Sequence, residues 1–127
     1  MNSKYIPSEA ELEILQVLWK IEPATVRQLH EVLIVQKDVG YTTTLKQVQR
    51  LFEKGILARE ASGKSHLYTT EYKEDNAKAK LFGKLKDTVF NGSVMDLVMH
   101  ALGEEEPSLD ELEQLEKFLK EQKRNKK

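Results

Sequence analysis

The sequence predicts a mainly α (α+β) chain: a winged helix-turn-helix domain over residues 1–72, then a helical arm over residues 73–127. Three observations lead there. Ser8 with Glu11 and Thr25 with Gln28 form capping boxes that open two short amphipathic helices. A third helix with a polar stripe stops at Gly55. Two short strand-like segments joined by a Ser-Gly-Lys turn follow it. Helix, helix, helix, strand, strand is the order of a winged helix.

Leu12, Leu15, Leu18 and Trp19 recur at helical spacing, so the first helix is expected over about Glu9–Lys20, with Pro23 ending it. Val26, Leu29, Val32 and Leu33 give the second helix. Lys37 to Gly40 breaks the pattern and returns the chain, with a short strand as one reading. Thr42 or its neighbour is the expected cap of the third helix, and Gly55 supplies the left-handed stop. Ile56–Glu60 and Ser65–Thr69 read as strands with Ser62-Gly63 in the turn. The expected core is Leu12, Leu15, Trp19, Leu29, Leu33, Leu51, Leu57 and Tyr68.

The remainder reads as helices over about Glu74–Phe90, Val94–Leu102 and Leu109–Gln122, punctuated by Asn91-Gly92 and by Gly103 through Pro107. Ser108 with Glu111 makes a further capping box. Leu109, Leu112, Leu115 and Leu119, with Phe118, form a narrow apolar stripe amid charge. Such a stripe has too little area to make a core alone and calls for a partner surface. Lys123 to Lys127 is expected to be a frayed, solvated tail.

The 127 residues carry a net charge of −1, a weak balance for a nucleic-acid binder, but the charge is arranged by region. Tyr41 to Tyr68 holds five Lys/Arg against two Glu, whereas the chain from Glu71 onward holds eleven basic and thirteen acidic residues. With no cysteine, disulfides and thiolate metal sites are excluded. No apolar run approaches the roughly 18–20 residues of a membrane span, and the N-terminus lacks a signal-peptide pattern. A cytoplasmic chain without direct membrane insertion is therefore expected.

The third helix carries Thr43, Lys46, Arg50 and Lys54 at i, i+3, i+7 and i+11, opposite Leu45, Val48, Leu51 and Phe52. At about 100° per residue the two sets diverge, so one face packs and the other is free. Arginine can donate bidentately to guanine O6 and N7, glutamine can pair with adenine, and threonine offers a hydroxyl and a methyl to thymine. Thr43, Lys46 and Arg50 are accordingly the residues expected in the major groove of double-stranded DNA, with Thr42 and Gln49 on one flank and Gln47 on the other. Glu53 sits near the same face and would lift the helix end from the phosphates. Lys64 at the wing tip, helped by Arg59, suits a phosphate, as do Thr25 and Arg27 at the positive end of the second helix. A solvated helix face is the plainer reading of such charges; the capping boxes and the following hairpin favour DNA. His30, His66 and His100 form no ligand pair at helical spacing, and no catalytic, metal or cofactor-binding motif is present. Asn91-Gly92-Ser93 reads as a turn and helix cap.

Several segments together resemble the penicillinase repressor family, which includes methicillin-resistance and copper-homeostasis repressors. They are Glu11-Leu12-Glu13-Ile14-Leu15 with Leu18-Trp19, Pro23-Ala24-Thr25-Val26, Tyr41-Thr42-Thr43-Thr44-Leu45, Gln49-Arg50-Leu51 with Lys54-Gly55, and Gly63-Lys64 leading to Tyr68. The resemblance implies a winged-helix domain that occupies a palindromic promoter operator, and C-terminal helices that intertwine into a homodimer. Residues 73–127 would then be the dimerisation domain, through Leu81, Leu85, Val94, Leu97, Val98, Leu109, Leu112, Leu115 and Leu119. Several members are inactivated when a membrane-bound metalloprotease sensor triggers cleavage of this arm, which implies such a sensor system as a partner. The departures are specific. Paired C-terminal cysteines of copper-responsive members are absent. Val98-Met99-His100-Ala101 lacks the Asn-Phe bond cut in β-lactam-responsive members, which weighs against β-lactamase genes as targets. Thr44 and Gln47 replace residues that are usually apolar, which suggests a different operator.

The resulting expectation is a non-enzymatic, homodimeric transcriptional repressor. Two other readings remain open at this stage. One is a regulator with a small-molecule pocket lined by Leu81, Phe82, Phe90 and Met99; the other is a winged-helix adaptor that binds only protein.

Overall fold

The computed structural model describes residues 4–126. Its elements are α1 (Glu9–Ile21), α2 (Val26–Leu33), α3 (Tyr41–Glu53), β1 (Leu57–Ser62), β2 (Ser65–Thr70), α4 (Glu74–Val89), α5 (Val94–Glu105) and α6 (Leu109–Asn125). The fold is mainly helical with one small antiparallel sheet, β1 beside β2. The chain divides between Gly83 and Lys84 into two compact units.

The capping boxes fix where the helices start. Ser8 Oγ accepts from the Glu11 amide at 3.2 Å while Glu11 Oε1 accepts from the Ser8 amide at 2.9 Å. Thr25 and Gln28 repeat the exchange at 3.1 and 2.9 Å, and Ser108 with Glu111 at 3.1 and 2.9 Å. Each box satisfies amides that a helix start leaves without partners.

The third helix departs from expectation at its start. Gly40 is the N-cap and offers no side-chain bond, and the first turn closes when the Thr44 amide donates to the Gly40 carbonyl at 3.2 Å. Thr42 therefore lies inside α3 rather than capping it. Residues 37–40 form no strand; the third extended contribution to the sheet is Ala24, which exchanges both backbone hydrogen bonds with Tyr68 at 3.1 and 2.7 Å. α3 stops as expected at Gly55, with φ +81° and the Ile56 amide closing on the Leu51 carbonyl at 2.9 Å. The first strand is shifted, running from Leu57 to Ser62, while the second starts at Ser65 as expected; Ser62 pairs with Ser65, so Gly63-Lys64 makes the turn. Gly63 at φ +60° takes the left-handed position of this two-residue hairpin.

The core joins three helices and the hairpin. Ile14, Leu15 and Leu18 of α1 are fully buried against Leu29, Val48, Leu51, Ile56, Leu57, Tyr68 and Tyr72. Two residues expected in this core are only half-buried. Leu12 is half-buried, and Trp19 packs alongside because its indole N–H reaches out to donate to the Tyr72 carbonyl at 3.0 Å. Tyr72 meets Tyr5 edge-to-face at 5.1 Å. Glu22, just past α1, accepts from the backbone amide and hydroxyl of the buried Thr70 at 2.7 and 3.0 Å, which ties α1 to β2. The first compact unit runs past Tyr72 because Ala77 in the first turn of α4 is buried in the same core.

The second unit is helical and thinly packed. After α4, Asn91 and Gly92 are left-handed, and the Gly92 amide returns to the Lys86 carbonyl at 2.9 Å. Ser93 then caps α5 by accepting from the Asp96 amide at 3.0 Å. α5 runs through Gly103 to Glu105, beyond its expected end, since one helical glycine costs only about 1 kcal/mol and Pro107 supplies the stop. Lys123, Arg124 and Asn125 are helical rather than frayed, because α6 continues without a breaker; Lys127 lies outside the described residues. Neither α5 nor α6 buries a single residue. No described helix is long and apolar enough to cross a membrane.

Candidate nucleic-acid interface

α3 sorts its side chains by face. Thr44, Val48 and Leu51 are buried, Leu45 and Phe52 pack at the core's edge, and Thr42, Thr43, Lys46, Gln49 and Arg50 are exposed. Gln47 is half-buried on the flank. Two depressions bring the exposed groups together with other elements. One, of about 420 Å³, is lined by Lys46, Gln49, Arg50, Phe52, Glu53 and Arg59. The other, of about 330 Å³, is lined by Thr25, the N-cap of α2, with Arg27 of α2, Tyr41, Leu45 and Gln49 of α3, and Arg59, Lys64, Ser65 and His66 of the hairpin. Residues far apart in sequence thus share one concave, cationic surface, and Gln49 and Arg59 link its two halves. Thr42 and Thr43 lie on the exposed N-terminal part of α3 outside both depressions.

Pairing distinguishes these cations from their neighbours. Lys37 donates to Glu13 at 2.7 Å and Lys54 to Glu11 at 2.7 Å, both on α1. Lys54 therefore leaves the stripe on which its spacing placed it; as C-cap of α3 it turns toward α1, above the Tyr5 ring at 5.8 Å. Among the described residues no carboxylate pairs with Arg27, Lys46, Arg50, Arg59 or Lys64. Two of these cations rest on aromatic rings instead: the Arg59 guanidinium lies 4.0 Å from the Phe52 ring centroid and that of Arg27 lies 5.4 Å from Tyr41. A ring face holds a guanidinium without neutralising it, so its charge stays available to an anion.

Glu11, the carboxylate that takes Lys54, lies on α1. Burial pushes the Glu11 carboxyl up, but hydrogen bonds from Lys54, the Ser8 amide and Tyr5 outweigh it and hold it below its ordinary range. Tyr5 is pushed above the ordinary phenol range by burial and then by the Glu11 charge. Its hydroxyl donates to Glu11 Oε1 at 3.0 Å. This cluster braces α1 against α3 and takes no part in the cationic face.

A family model described as penicillinase repressor matches residues 7–121. The chain belongs to the penicillinase repressor family. It is 29% identical over 118 residues to the methicillin resistance regulatory protein MecI of Staphylococcus aureus (strain N315), covering 93% of this chain and 96% of that relative. Similarity to the transcriptional regulator BlaI of Mycobacterium tuberculosis (strain H37Rv) reaches 30% over 115 residues, 89% of this chain and 82% of the relative. Among solved structures, the DNA binding domain of the repressor BlaI superposes with a TM-score of 0.51 at 27% identity, covering 55% of this chain and 85% of that domain.

Sequence reasoning did not single out Tyr41, Ser65 and His66 as parts of this surface. Tyr41, Leu45 and Gln49 follow one another at i, i+4 and i+8, a row toward the hairpin that was legible once α3 starts at Tyr41. Ser65 and His66 carried no such signal, because their nearness to Thr25, Arg27 and Tyr41 arises only in the assembled fold.

Proposed function

We propose that the chain occupies a two-fold-symmetric promoter operator as a homodimer, with α3 of each copy in a major groove and the arm holding the copies together. It is a DNA-binding transcriptional repressor, not an enzyme, by its family. The observation that carries the finer reading is the row of cations along α3, α2 and the hairpin that no carboxylate among the described residues pairs with, while Lys37 and Lys54 are paired with α1.

Thr43, Lys46 and Arg50, flanked by Thr42, Gln47 and Gln49, are the base-reading set, since they project from the exposed side of α3. Lys64 and Arg27 take phosphates on either side, and Thr25 contributes the amide-rich start of α2, its hydroxyl being occupied by the Gln28 amide. Residues 73–127 form the dimerisation domain. Leu85, Val94, Val98, Leu109, Leu112, Leu115 and Leu119 are exposed in one copy, and Leu81 and Leu97 are half-buried. Exposed apolar side chains in such number are stabilised in water when a second copy covers them. Cutting the arm, as by a membrane metalloprotease sensor system, would release two weak monomers and lower occupancy without altering a base contact. The site of action is the cytoplasm.

Selection of bound duplexes from a random library with the purified full chain tests this. The expected winners are inverted repeats whose half-sites lie about 10–10.5 base pairs, or a multiple, apart. Enrichment of an asymmetric single site would remove the homodimer reading, and no enrichment would remove the operator reading.

A further inference from the structure

Two helix starts, α2 and α3, converge beside the hairpin, and a chain of contacts connects them. Thr44, fully buried in α3, places its hydroxyl 2.9 Å from His30 Nδ1 and 3.4 Å from the Gly40 carbonyl. The hydroxyl can give its proton to Gly40 and accept from an Nδ1–H, and either way the contact holds the plane of the imidazole. The His30 ring meets Tyr41 edge-to-face at 5.4 Å and 86°. The Arg27 guanidinium in turn lies over the Tyr41 ring, 5.4 Å from its centroid. Arg27 has no carboxylate partner among the described residues, and its side chain lines the depression shared with Arg59 and Lys64.

We propose that Tyr41 is a positioning residue: fixed edge-on by the Thr44–His30 pair, its ring holds the Arg27 guanidinium in place for a backbone phosphate of the bound duplex. An arginine on a flexible stem loses conformational freedom when it contacts a phosphate, and a ring that pre-orders the guanidinium removes part of that cost. The inference rests on the operator reading above and adds to it a residue that acts through another.

A double-substitution cycle on the full chain tests it, read by fluorescence anisotropy on a fixed duplex across a salt series. Arg27→Ala should lower the salt slope by about 0.9 per half-site, one lost phosphate contact. Tyr41→Leu should weaken binding about five- to thirtyfold for a dimer that loses the ring's hold on both arginines. In the Arg27→Ala background, Tyr41→Leu should cost nothing further. Tyr41→Phe, which keeps the ring face, should restore most of the affinity lost in Tyr41→Leu. Tyr41 is 37% exposed, so these variants keep the core, and far-ultraviolet circular dichroism checks that. Equal losses from Tyr41→Leu with and without Arg27, or a Tyr41→Phe as weak as Tyr41→Leu, would overturn the proposal while leaving the operator reading intact. An unsubstituted chain that binds no duplex would overturn both.

Discussion

Arg50→Ala separates base reading from charge. Arg50 is exposed on α3, and no described residue accepts a hydrogen bond or ion pair from its guanidinium. Its removal should therefore change folding stability by no more than about 0.5 kcal/mol. In the groove the same side chain is worth much more: one bidentate contact to guanine contributes about 1–3 kcal/mol of discrimination. A symmetric operator makes that contact twice, so the dimer loses about 2–6 kcal/mol, or from about 30-fold to more than 10⁴-fold in affinity. Anisotropy titrations on the selected operator and on a scrambled duplex of equal length measure both quantities. The expected result is a large loss on the operator, a small one on the scrambled duplex, and a melting temperature unchanged. An equal loss on both duplexes with a shallower salt slope would make Arg50 a phosphate contact. No loss on either would mean that the face is merely solvated.

Leu112→Asp with Leu115→Asp should yield monomers in sedimentation at micromolar concentration while the winged-helix unit keeps its cooperative unfolding. Operator affinity should fall by about 10²- to 10⁴-fold, and an affinity that holds would show that the arm is not what makes binding tight. Thr44→Val removes a buried hydroxyl that bridges His30 and Gly40 while conserving shape, so urea unfolding should report a loss of about 1 kcal/mol. A variant as stable as the parent would show that this bridge contributes nothing. Stability should also fall with acid. Because Glu11 sits below its ordinary value of 4.5 in the fold, its contribution is complete above the unfolded carboxylate range and is lost as pH drops through the lower folded value. Glu11→Gln should flatten the pH dependence of unfolding below about pH 4.5; a curve of unchanged steepness would assign acid sensitivity to other groups.

The three capping boxes, the glycine stop and the hairpin were legible because each is local chemistry, with partners three residues apart or a turn that only certain residues allow. The buried face of α3 was legible from its period. What escaped was set by distance in the chain. Thr44 reads as a polar residue with no place in the core, and the His30 ring, fourteen residues away, joins the nearby Gly40 carbonyl in making its burial acceptable. Trp19 reads as core, yet its N–H is drawn to the Tyr72 carbonyl across 53 residues. Lys54 reads as part of the cationic stripe until Glu11, 43 residues earlier, claims it. That no described carboxylate pairs with Arg27, Lys46, Arg50, Arg59 or Lys64 is likewise a property of the assembled fold. A sequence shows which cations exist, and only the packing shows which of them the protein leaves for something else.

The most direct measurement is equilibrium binding of the purified full chain to the operator selected from the random library between about 50 and 300 mM salt. Several phosphate contacts per half-site should make log affinity fall linearly with log salt, with a slope of magnitude about 5 or more for the dimer. A flat line, or no binding at the lowest salt, would contradict the account.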